Sequence, residues 1–259
     1  MNAELISLAK QFHLGVLSGG KFVSSNEGGE ACILEVLRAE AAAREKRAIA
    51  ERAKQARLPT YKGFKEFDTD FQKGITREQL AKLETLERVD QAFNLVLIGP
   101  PGTGKTHLAL AIGNKAVERG YKVFFSAMDT LTHILKTREI SVKSASRVRS
   151  IYKCDLVIID EVAYLPISKN EAIWFFSLIS QLCETASVVI TSDKGFSGWA
   201  EILGDAVLAT ALPDRLTHKC QVPDLEGEGW RIALRKHIFY SFYSIRWGIF
   251  VCLIWWIPS

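Results

Sequence analysis

The segment Gly99-Pro100-Pro101-Gly102-Thr103-Gly104-Lys105-Thr106 restricts the possible folds of this chain more than any other. It fits the pattern G-x-x-x-x-G-K-[ST], and its flanks differ in character. Phe93–Ile98 is a short apolar run suited to a buried strand. Lys105–Arg119 reads as a helix closed by Gly120, a favourable residue just past a helix end. A strand that turns through glycines into a helix directs backbone N–H groups and the positive helix end at one point, where a phosphate fits. Lys105 is placed to reach β- and γ-phosphates, and the Thr106 hydroxyl to hold Mg2+. The expected nucleotide site is Gly99, Pro100, Pro101, Gly102, Thr103, Gly104, Lys105, Thr106 and His107, with ATP and Mg2+ as ligands.

The rest of the chain supplies the sheet this motif needs. Lys122–Phe125, Asp155–Ile159 and Ser187–Thr191 are further apolar runs. Helical stretches at Met128–Lys136 and Asn170–Glu184 alternate with them, and residues 76–91 form a helix before the first strand. Short apolar strands alternating with helices predict an α/β fold, a parallel sheet covered on both faces. The run Asp155–Ile159 ends in Asp160 and Glu161 at the edge where open α/β sheets bind ligands. Asp160 is expected to orient Mg2+ through its water shell, and Glu161 to polarise an attacking water. An adjacent Glu points to hydrolysis rather than transfer to a substrate hydroxyl.

Composition narrows the class. With 259 residues, 48% hydrophobic and 24% charged, the chain is neither a disordered tail nor a disulfide miniprotein. Five widely spaced cysteines with no CxxC pair support neither a disulfide framework nor a zinc site. The N-terminus lacks a basic region followed by an apolar run, so a secretory signal is not expected and the reading is cytoplasmic. The net charge of +4 is too balanced to identify a nucleic-acid binder, but it is unevenly spread. Residues 38–65 hold nine basic and three acidic side chains, Arg44 and Arg47 among them, on a long helix expected over 31–57. Residues 136–153 hold Lys136, Arg138, Lys143, Arg147, Arg149 and Lys153 against the single acid Glu139. Either stretch could follow a phosphate backbone or simply be a solvated face.

Four segments taken together carry a family resemblance: GPPGTGKTHLALAIG (99–113), CDLVIIDEVAYLP (154–166), ITSDKGFSGWAEILGD (190–205) and LPDRLTHKC (212–220). The chain resembles the IstB family of insertion-sequence ATPases, which is similar to the DnaC helicase loaders within the AAA+ superfamily. The match runs over about residues 60–231. The resemblance implies a P-loop AAA+ three-layer αβα domain with a central parallel sheet, preceded by a small helical region. The implied division is 1–60 for DNA or partner binding, 61–231 for the ATPase and 232–259 for a tail. It implies an ATP-dependent helper of a DNA transposase that self-assembles on duplex DNA with little sequence preference and remodels it. A replicative helicase loader and a non-hydrolysing ATP-dependent DNA clamp stay open as alternatives at this point.

Residue by residue, the resemblance makes Lys105 and Glu161 catalytic and Arg215 an arginine finger that acts on a neighbouring subunit's nucleotide. Asp193 falls where the family usually has Asn, at a polar sensor facing the γ-phosphate or the attacking water. A carboxylate there cannot donate a hydrogen bond and is expected to repel phosphate and Glu161, slowing hydrolysis. Pro213 is expected to disturb the helix that carries Arg215. Beyond residue 231 the chain changes character. Ile238–Ile257 carries eight aromatics and one charge, Arg246, and four of the six Trp lie after residue 229. Twenty residues would just reach across a hydrocarbon core, yet a central Arg costs about 2.5–3.5 kcal/mol there. The tail is expected to be fused or out-of-frame sequence, and a membrane is not an expected partner.

Overall fold

The computed structural model describes residues 2–20, 22, 28–70, 72, 74–87, 89–162, 164, 166–217 and 220–225. The aromatic tail and Gly227–Arg231 therefore lie outside the described residues. Two compact units are present, one ending at Lys54 and one starting at Gln55.

The first unit is helical, with α1 (Ala3–Gln11), α2 (Gly15–Ser18) and α3 (Gly29–Ala56), which belongs to it through Lys54. The Asn2 side chain caps α1 by accepting from the Glu4 N–H at 3.0 Å. Leu5, Ala9 and Leu37 are buried, and the Arg38 guanidinium pairs with the Glu4 carboxylate. The long helix forms as expected because Ala, Glu, Arg and Lys are strong helix formers and neither Gly nor Pro interrupts it after its first residue.

The second unit is built on a five-stranded parallel sheet in the order β2-β3-β4-β1-β5. The strands are β1 (Asn94–Ile98), β2 (Val123–Ala127), β3 (Leu156–Val162), β4 (Ser187–Ser192) and β5 (Cys220–Gln221). Their register pairs Leu95 with Val189, Ile158 with Val189, and Phe125 with Ile158. Alternate strand residues point to opposite faces. Val96, Phe124, Val157, Ile159, Val188 and Ile190 enter one large core. That face is covered by α6 (Met128–Lys136), α8 (Lys169–Thr185), α9 (Trp199–Leu203) and α10 (Ala206–Thr217). The opposite face packs on α5 (Lys105–Glu118), where a side chain on Gly113 would strike Ile158. Buried strands with both faces covered read as continuous apolar runs, which is why four of the five are evident in the sequence.

Four local expectations need correction. The helix expected over 76–91 stops early: α4 is Arg77–Thr85, opened by a reciprocal Thr76/Gln79 cap and ended where buried Leu86 turns left-handed at φ 56°. The third strand continues past Ile159 to Val162, so Asp160 and Glu161 sit inside it. Pro213 lies within α10 without ending it. A proline removes one helical hydrogen bond, but buried Leu212 and Leu216 hold that turn on the core. The short β5 was not expected, since two residues carry no periodicity. Among the described residues no helix is long and apolar enough to cross a membrane.

Candidate functional site

The loop between β1 and α5 adopts a conformation open to few sequences. Gly99, Gly102 and Gly104 have φ of 149°, 84° and 92°. A Cβ at Gly99 would collide with the Leu225 carbonyl, and one at Gly104 would sit 3.0 Å from the Phe67 ring. Side chains are therefore excluded twice, by dihedral and by space. Pro100 O accepts from the Thr103 hydroxyl at 2.8 Å, which tightens the turn. Behind the loop, buried Gln72 donates its side-chain amide to Thr103 O. Phe64 and Phe67 are buried, and Phe67 meets His107 edge to face at 5.6 Å. The His107 ring contacts Gly63 O at 3.1 Å, so its Nε2 is turned to protein rather than to a ligand.

Lys105 starts α5 and is 7% exposed. Its ammonium donates to Gly99 O at 2.7 Å and Pro100 O at 2.8 Å, and pairs with Asp193 Oδ1 at 2.7 Å. The repulsion expected of Asp193 is thus only half of its position: the carboxylate is held by the loop lysine. Thr106 donates its hydroxyl to Asp160 Oδ1 at 2.9 Å, and the Thr191 hydroxyl donates to the same oxygen. Thr191 Oγ1 also accepts the Glu161 N–H at 2.9 Å. One threonine of β4 therefore ties both acids of β3 together.

The acidic pair occupies a bulge. The β3·β4 register shifts between Ile159 and Val162, and Glu161 has φ 60°, a left-handed conformation that is uncommon for a residue with a Cβ. The bulge turns Asp160 inward, 7% exposed, while Glu161 is exposed. A cavity of about 440 Å³ collects these groups: Pro101, Gly102, Gly104, Lys105, Thr106, His107, Glu161, Thr191 and Asp193 line it, with Thr60, Lys62 and Leu110 on its side. The glycine cradle, the helix N-terminus and the lysine fit a polyphosphate. Thr106 Oγ1 and Asp160 Oδ1 are hard oxygen donors, and Mg2+ usually takes one or two such protein ligands beside substrate phosphates.

Arg215 is elsewhere. It is exposed on α10 and lines a separate cavity of about 580 Å³ with Asn94, Ser180 and Cys183. Asn94 begins β1, whereas the phosphate loop follows Ile98 at its other end. Five parallel-strand residues span roughly 16 Å, so Arg215 and its own loop lie at opposite ends of the sheet. Burial pushes the nearby Cys183 thiol above its usual range.

Within each unit the candidate basic residues differ in their local partners. Lys136 lies 3.8 Å from Glu171, and Arg138 packs over the Trp174 ring. On α7 (Val142–Ile151), Lys143 and Arg147 share a face four residues apart, while Arg149 points away from it. Burial, and then Arg57, lower the Arg147 pKa. In the first unit Arg44 pairs with Glu40 at 2.7 Å and lies over the Phe12 ring, and Arg47 is exposed.

The IstB-like ATP-binding protein family matches residues 20–237. This chain belongs to that family. It is 41% identical over 193 residues to a Pseudomonas aeruginosa protein named as the ATP-binding protein of insertion sequence IS21, covering 74% of this chain and 73% of that one. Among solved structures, that of DnaI is similar with TM-score 0.54 and 18% identity, over 65% of this chain and 92% of that one. AMPPCP-bound DnaA from Aquifex aeolicus is similar with TM-score 0.52 and 22% identity, over 71% of this chain but only 56% of that one. These likenesses show that this IstB-like protein shares the fold of DnaI and of the matching part of DnaA.

Several residues that build the IstB-like site escape sequence reasoning. Thr191 ends an apolar strand and looks like a strand residue. Fully buried Trp199 donates its indole N–H to Ser192 Oγ at 3.2 Å and Lys194 O at 3.1 Å, anchoring the turn that bears Asp193. The only sequence signal is polar Thr191 at the end of its apolar run.

Proposed function

We propose that this protein is an ATP-hydrolysing helper of a transposase that assembles as an oligomer on duplex DNA and remodels it during transposition of an insertion sequence. The observation that carries the hydrolytic part is the Thr106–Asp160–Thr191–Glu161 chain of hydrogen bonds, which joins the phosphate loop to an acid aimed into the same cavity. Lys105 and the loop N–H groups bind and orient the phosphates. Thr106 and Asp160 would hold Mg2+, which when bound neutralises charge on phosphate oxygens. Glu161 accepts a proton from water as the water oxygen bonds to the terminal phosphorus and the bond from that phosphorus to ADP breaks. Arg215, at the far end of the sheet from its own loop, suits a neighbour's nucleotide, so the oligomer completes the site.

Family membership supports ATP as the ligand, and the insertion-sequence naming of the Pseudomonas aeruginosa relative supports a transposase partner. Lys143 and Arg147 on one face of α7 are the best-placed candidates for phosphate backbone contacts, one or two per subunit. The test is phosphate release with and without duplex DNA across a salt series. Wild type is expected to be stimulated at low salt. Glu161→Gln should keep ATP-dependent DNA binding and lose at least roughly 100-fold in turnover. Normal turnover in that variant would remove Glu161 from the chemistry.

A further inference from the structure

The Lys105 ammonium has three N–H donors, and three acceptors surround it: Gly99 O, Pro100 O and Asp193 Oδ1. A phosphate oxygen can engage this lysine only by displacing one of them. The two carbonyls belong to the loop itself. Asp193 comes from the turn after β4 and is the only one of the three that carries charge. Sheet order places β4 between β1 and β3, so Asp193 follows the strand that separates the phosphate loop from the bulge of Asp160 and Glu161. Hydrolysis requires the terminal phosphate to face Glu161, and Asp193 lines the same cavity.

The turn around Asp193 is anchored on both sides. Ser192 donates its hydroxyl to Lys194 O at 2.7 Å and accepts the Lys194 N–H at 3.2 Å, and the buried Trp199 indole holds both residues. The Asp193 side chain is 32% exposed, so its charge is screened less than on an open surface.

We propose that Asp193 sets nucleotide selectivity, its carboxylate competing with the terminal phosphate of a nucleoside triphosphate for Lys105, so that the site favours the diphosphate. This rests on the nucleotide-site reading above. The carboxylate acts as a repulsive element against one ligand of a pair, a common route to discrimination. The diphosphate lacks the phosphate that faces Asp193 and suffers less from it. The selectivity bears on release: product is held, and exchange to the triphosphate is disfavoured until a further interaction moves Asp193 from Lys105.

The test is titration of the full chain with fluorescent ADP and with a fluorescent non-hydrolysable ATP analogue, both with Mg2+. Wild type, Asp193→Asn, Asp193→Ala and Lys105→Ala are compared. Wild type is expected to bind the diphosphate roughly ten-fold more tightly. Both Asp193 variants should gain roughly ten-fold for the triphosphate analogue and less than about three-fold for ADP. An unchanged affinity ratio, or equal gains for both nucleotides, overturns the proposal. A shift confined to Asp193→Asn would assign the gain to a donated amide hydrogen bond and would overturn it too. If Lys105→Ala binds both nucleotides like wild type, or wild type and the Asp193 variants bind neither, the nucleotide-site reading itself falls and takes the proposal with it.

Discussion

Replacing Thr191 by Val keeps the shape of the side chain and removes one oxygen, which isolates what the hydroxyl contributes. That oxygen donates to Asp160 and accepts from the Glu161 N–H, at a position 1% exposed. A hydrogen bond to a charged acceptor contributes about 1.5–3 kcal/mol, and leaving the part-buried Glu161 N–H without this acceptor costs about 1 kcal/mol more. The left-handed φ of Glu161 is held only as long as its surroundings favour it. If about 2 kcal/mol of the loss falls on the placement of Glu161, kcat drops roughly 30-fold. Nucleotide affinity should change far less, since the loop glycines and Lys105 are untouched. Thermal unfolding with and without nucleotide, together with steady-state phosphate release, reads both effects. Thr191→Ser, which keeps the hydroxyl, should restore most of the turnover. A Val variant with kcat within about two-fold of wild type would refute the idea that this threonine positions the acidic pair.

Two further outcomes follow from the same geometry. Trp199→Phe removes the donor shared by Ser192 and Lys194; about 1–2 kcal/mol of stability should be lost, a fall in Tm of roughly 2–8 °C by calorimetry, and an unchanged Tm would show the turn is held without it. Mixing Arg215→Ala subunits with Lys105→Ala subunits should partly restore phosphate release, because one of the two kinds of mixed interface pairs an intact loop with an intact Arg215; activity no higher than that of either variant alone would argue against action between subunits.

The phosphate loop, four of the five strands and the candidate acids were legible because each is written locally. Glycines at fixed offsets specify a backbone that only glycine tolerates, and buried parallel strands are short apolar runs whatever lies around them. Local signals misled where a boundary depended on tertiary packing: α4 ends at a buried left-handed Leu86, and β3 runs on through a bulge that no periodicity marks. The tail, the most conspicuous compositional feature, falls outside the described residues.

By itself the sequence determined the fold class and the family and singled out the candidate site residues, because those depend on residue types at short spacing. Only the tertiary structure decided how they are coupled. Asp160 and Thr191 are thirty-one positions apart, and Lys105 and Asp193 lie eighty-eight apart. The parallel sheet brings β1, β3 and β4 side by side with their C-terminal ends together, so groups remote along the chain share single hydrogen bonds. The same topology separates Arg215 from its own loop. Asp193, by sequence a departure that should repel phosphate, becomes in three dimensions the partner of the loop lysine, Lys105.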